Sequence, residues 1–152
     1  MTGRCRALLL AFLLAFPTGA AGQDFTGEWT VVESVGGSAE WSSPLGDKGS
    51  ITHGPDTITV SPASFRSNFQ GERIYRLDGS DTRNNITDAV GDVKTVVGRL
   101  RQALSAFIIE DGPTVFTLTL NASGQLEILI VSENLWPERT ASTRRFVYRK
   151  TR

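Results

Sequence analysis

Cysteine is nearly absent: the 152 residues hold one, Cys5, close to the start of the chain. Beyond it there is no thiol for a disulfide or a thiolate metal site, so an apolar core must hold the rest together. Histidine is as scarce, with His53 alone. A zinc centre built on imidazole needs several such ligands, and a Ser-His-Asp triad needs its histidine beside a nucleophile elbow. Neither a Gly-x-Ser-x-Gly elbow nor a phosphate-binding loop occurs. No sign of charge is in excess, since 16 basic residues face 16 acidic ones. That balance lacks the broad basic field on which non-specific nucleic-acid binding depends. The longest apolar run, Ala7 to Phe16, has ten residues, about half of what a membrane-spanning helix needs.

That run belongs to a leader. Arg4 and Arg6 make a charged head, Ala7 to Phe16 the apolar centre and Pro17 to Gly22 a small-residue exit, so residues 1–22 read as a secretory signal peptide. Cys5 precedes the apolar run, whereas a lipid-carrying cysteine would follow it; neither a lipid nor a transmembrane anchor is expected. Residues 23–152 leave 130 residues for a single domain with a real core, expected to be secreted or periplasmic and monomeric. Without Arg4 and Arg6 the balance is 14 basic against 16 acidic residues, a net charge of about −2.

What is present is a series of short alternating segments. Phe25, Gly27, Trp29 and Val31 share one face of a first strand over about 25–34, with Thr26, Glu28 and Thr30 on the other. Residues 35–50, rich in Gly, Ser and acid, form a long loop in which Trp41 is the candidate lid aromatic. A hairpin follows from Ser50 to Val60 around Gly54-Pro55-Asp56, with Ile58 and Val60 inward. Phe65 and Phe69 are packing points in a polar connection, Arg73 to Leu77 is a strand, and 79–92 reads as turn-rich. Residues 88–104 are ambiguous: Val90, Val93, Val97, Leu100 and Leu104 fit a helical stripe, while β-branched density and Gly98 favour a strand. From Ala106 the chain is plainly β, with Phe116, Leu118 and Leu120, then Leu126, Ile128 and Ile130, pointing inward. After a loop carrying Trp136-Pro137, a basic strand from Thr140 to Lys150 closes the chain. The expected fold is all-β: an antiparallel up-and-down meander of about eight strands closing into a barrel, with one short helix possible near 88–104.

Phe25-x-Gly-x-Trp29 at the start of a secreted domain resembles the first-strand motif of lipocalins. The resemblance implies that Trp29 closes the barrel floor under a basic side chain of the last strand, for which Arg144, Arg145, Arg149 and Lys150 are available. Tyr75-Arg76-Leu77-Asp78-Gly79-Ser80 with Asn84, and the ending Phe146-Val147-Tyr148-Arg149-Lys150, are similar to a group of small secreted bacterial lipocalin-like (calycin-type) proteins, mostly uncharacterised. No catalytic or ligand residues come with that resemblance.

The remaining chemistry is thin. His53 reads as a surface hairpin residue rather than a haem or metal ligand. Asp78, Ser80 and Thr82 have the odd spacing of a calcium loop, but Arg83 stands at its glycine position and Ala89 at its terminal glutamate, so an Asx turn explains them. Glu110-Asp111 sits at a turn, where solvation is the normal outcome. Asn85-Ile86-Thr87 and Asn121-Ala122-Ser123 are glycosylation sequons in predicted turns. The expectation is a non-enzymatic binding module with no cofactor and no metal, holding a small hydrophobic or amphipathic ligand against Trp29, Tyr75, Phe116, Ile128 and Tyr148. The rival is a solid barrel that meets a protein partner through its basic C-terminal strand or the Trp41 loop.

Overall fold

The computed structural model describes residues 23–63, 71–87, 91–133 and 141–151. The leader 1–22, the packing points Phe65 and Phe69, Trp136-Pro137 and the side chain of Trp41 lie outside the described residues. Ten strands make one antiparallel sheet: β1 (Gly27–Val35), β2 (Lys48–His53), β3 (Thr57–Pro62), β4 (Arg73–Arg76), β5 (Thr82–Thr87), β6 (Val93–Gln102), β7 (Ala106–Asp111), β8 (Thr114–Leu120), β9 (Leu126–Glu133) and β10 (Ala141–Lys150). The order across the sheet is β4-β3-β2-β1-β10-β9-β8-β7-β6-β5. Each strand pairs with the next in sequence except β4 with β5, the two edges, and the last strand returns to pair with the first, where Trp29 stands opposite Lys150. This is the meander expected of alternating segments joined by short turns.

One expectation is corrected and one ambiguity resolved. Among the described residues the strand count is ten rather than about eight, in part because the 79–92 stretch contains β5. Its sequence, TRNNIT, offers one large apolar residue, Ile86, and fills the other inward position with Asn84. The ambiguous segment is strand β6 over 93–102, the reading that its β-branched density and Gly98 favoured. Of the alternative helical stripe, Val90 lies outside the described residues, Val93, Val97 and Leu104 are exposed, and Leu100 points inward beside Gly98, as a period of two requires. The helix found among the described residues is a single turn, α1 (Ala39–Ser42), in the first loop.

The edge strands β4 and β5 meet without a backbone ladder, and a side chain closes the seam. Asn84 Nδ2 donates to the Ile74 carbonyl (3.0 Å), and its Oδ1 accepts from the Ile74 N–H (2.9 Å). One buried amide thus supplies the donor and acceptor that a paired backbone residue would have given. The interior is apolar: Phe25, Trp29, Leu45, Ile58, Leu100, Phe107, Ile109, Leu118, Leu126, Ile128, Phe146 and Tyr148 belong to one buried cluster.

Candidate functional site

Strand direction sorts the connections onto two ends. The hairpin turns 54–56, 77–81, 103–105 and 121–125 lie at one end, which is the floor. The connections 36–47 and 112–113 lie at the other. At the floor, Phe25 packs on Phe107 with ring centroids 4.9 Å apart, and the Trp29 indole N–H donates to the Phe25 carbonyl (2.9 Å). Lys150 places its ammonium 5.8 Å from the Trp29 ring, so Lys150 is the basic cover that the first-strand motif implied. His53 is less of a surface residue than expected, because its ring meets the edge of Phe107 at 5.4 Å.

The first loop folds over the opposite end. Ala39 and Leu45 are buried in the core cluster. Gly49 makes room for this plug: a Cβ there would stand 2.7 Å from both Leu45 Cδ2 and the Ser61 carbonyl. Tyr148 reaches from β10 to tether the loop, donating to the Gly46 carbonyl (2.8 Å) and lying in hydrogen-bond contact with Ser43 Oγ. Burial drives the Tyr148 phenol well above its ordinary pKa, so it stays a donor at any physiological pH. A loop over the open end was expected; what fastens it is Leu45 and Tyr148.

Below this lid, β4 and β7 bring ionic groups into the apolar interior. Arg73 Nε donates to Asp111 Oδ2 at 2.9 Å, and both side chains are almost fully buried. The Arg73 guanidinium stands 5.9 Å from the centre of the Phe116 ring. Tyr75, two residues on from Arg73, shares its inward face and lies against Gly98, where a Cβ would meet the ring at 2.5 Å and Asp111 Oδ1 at 3.3 Å. Glycine at 98 is therefore what lets Tyr75 and Asp111 occupy one patch of wall. Burial, then the Asp111 carboxylate beside it, push the Tyr75 phenol up as well.

All five predicted lining residues, Trp29, Tyr75, Phe116, Ile128 and Tyr148, sit in the core cluster and face inward. They divide among different levels: Trp29 belongs to the floor, Tyr148 to the lid tether, and Tyr75 and Phe116 to the Arg73–Asp111 patch. The solvated turn expected for Glu110-Asp111 is half right, because Glu110 is exposed while Asp111 is buried. Arg73 was missed too, although Tyr75 inward places Arg73 inward by alternation alone. The Asp78 turn matches its reading, with Asp78 Oδ1 accepting from both the N–H and the hydroxyl of Ser80.

The basic last strand is engaged at Arg145 and Lys150. Arg145, on the outer face, bonds Glu33 (2.9 Å) and Glu127 (3.0 Å) across three neighbouring strands. A cleft of about 330 Å³ also opens outside the barrel, between the 77–79 turn and residues 99–102 of β6. Of its polar groups, Arg99 is paired with Asp81, Gln102 with the Leu77 carbonyl and Asp78 with Ser80. No helix among the described residues is long and apolar enough to cross a membrane.

No protein-family model matches the chain, and no curated protein matches it. Among solved structures the fold is similar to that of the zebrafish ileal bile acid-binding protein complexed with cholic acid. The TM-score is 0.59 at 13% identity, over 84% of this chain and 98% of that one. This strand order and that likeness give the described residues the fold of an up-and-down antiparallel β-barrel.

Proposed function

We propose that residues 23–152 form a secreted or periplasmic monomer that holds one small apolar or amphipathic molecule inside the barrel, without catalysis. The observation that carries this reading is the Arg73–Asp111 pair with Tyr75, an ionic patch in an apolar interior beneath a tethered lid. A buried ion pair gains a fold little over apolar residues of the same shape, so its presence points to use rather than stability. The similar barrel solved with cholic acid is in keeping with an amphipathic occupant. The leader-like residues 1–22 support the extracytoplasmic placement, and a net charge of about −2 for the remainder speaks against nucleic acid as partner.

One observation favours the solid-barrel reading: Phe25, Trp29, Tyr75, Phe107, Phe146 and Tyr148 are all fully buried and occupy much of the interior. Methyl NMR of the isoleucines separates the two. On titration with fatty alcohols, fatty acids, sterols and bile salts, a carrier shifts the methyls of inward Ile58, Ile109 and Ile128 with saturation at one equivalent. Outward Ile74 stays put. Shifts confined to outward methyls, or none with any compound, would refute the carrier.

A further inference from the structure

Within the interior patch, the Tyr75 hydroxyl and Asp111 Oδ1 make no hydrogen bond of good geometry, although the phenol lies close enough to the carboxylate for Asp111 to push its pKa up. Both residues are at least nineteen-twentieths buried and face inward, against the same glycine. A buried polar atom left unpaired costs about 1–3 kcal/mol, and a ligand group set between these two would give each a well-aligned bond. The chemistry of the two atoms defines that group. Asp111 Oδ1 belongs to a carboxylate whose other oxygen takes the Arg73 N–H, so it can only accept. The Tyr75 phenol is held protonated by burial and has a hydrogen to give.

We infer that this patch, on the carrier reading above, selects ligands by a neutral hydroxyl group that donates to Asp111 Oδ1 and accepts from the Tyr75 hydroxyl. An alcohol does both at once. A carboxylate head offers acceptors only, leaves Asp111 Oδ1 unmatched and sets a second negative charge beside it. A hydrocarbon satisfies neither atom. The Arg73 charge that could otherwise draw an anion is already opposed by Asp111 at 2.9 Å. The predicted class is therefore the long-chain or polycyclic alcohol, in preference to the acid of the same skeleton.

The test uses three matched compounds, 1-dodecanol, dodecanoate and dodecane, titrated calorimetrically into residues 23–152 and into Tyr75→Phe and Asp111→Asn variants. Dodecanol should bind at least tenfold more tightly than either of the others, and Tyr75→Phe should erase that preference without weakening dodecane. Because the Tyr75 hydroxyl makes no well-aligned bond in the empty barrel, Tyr75→Phe should leave its Tm unchanged or raised. Dodecanoate binding as well as dodecanol, or dodecanol no better than dodecane, overturns the hydroxyl preference while leaving the carrier standing. A Tyr75→Phe variant with lowered Tm and intact preference overturns it too, by making the phenol a structural partner of Asp111. Failure of all three compounds to bind removes the carrier reading and this inference with it.

Discussion

Replacing Arg73 by methionine would strand the Asp111 carboxylate in an apolar interior, and breaking a buried pair from one side costs about 3–5 kcal/mol. The double variant Arg73→Met/Asp111→Leu should recover most of that loss, since it removes both charges together. Urea unfolding of the two variants checks the order; a single variant as stable as the double would mean the pair is solvated. At Gly98, alanine would press its methyl into the Tyr75 ring, 2.5 Å from the built Cβ. A loss of about 1–3 kcal/mol is expected, as for other overpacked sites, and a Tyr75→Leu background should relieve it. At this scale the sequence was partly readable. Period-two alternation placed Phe116, Ile128 and Tyr148 inward correctly, because each sits in a strand with apolar neighbours two residues away. Asp111 was not readable: its partner Arg73 lies 38 residues earlier in the chain, and only closure of the barrel brings them together.

Among the elements, the lid and the seam are the parts fastened by side chains. Tyr148→Phe removes the phenol that holds Gly46 and Ser43, a loss of about 1–3 kcal/mol if those atoms stay dry. Hydrogen exchange should then quicken at Ser43 and Gly46, whose amides bond Ala39 and Ser43, before it quickens in the strands. Uniform acceleration over the whole chain would contradict a local tether. On the outer face, the Arg145 hydrogen bonds hold the Glu127 carboxyl below its ordinary pKa. A lowered folded-state pKa adds stability above the unfolded value and loses it as pH falls through the folded one. Glu127→Gln should therefore flatten the decline of stability between about pH 5 and pH 3, measured by chemical unfolding across that range. An unchanged slope would show that the Arg145 contact contributes nothing. The elements themselves were legible wherever apolar residues alternate, as in β8 and β9. β5 was hidden because its inward residue at 84 is an amide serving the seam, and a polar TRNNIT segment looks like a turn when its partner strand is unknown.

For the whole molecule, the meander and its closure by the last strand could be read from strand spacing and the Trp29–basic pairing, which Lys150 supplies. The seam could not, since no residue pattern reports which edges of a meander fail to pair. What unites the levels is a barrel with an aromatic floor, a plugged and tethered opposite end, and an ionic patch between them whose polar groups are incompletely matched. Native mass spectrometry of the protein purified from its own source, beside the same sample denatured and extracted, tests this account most directly. The account predicts one discrete small molecule per chain, lost on denaturation and carrying a hydroxyl on an apolar skeleton. A bare polypeptide mass in the native spectrum, with nothing recovered in the extract, would contradict it.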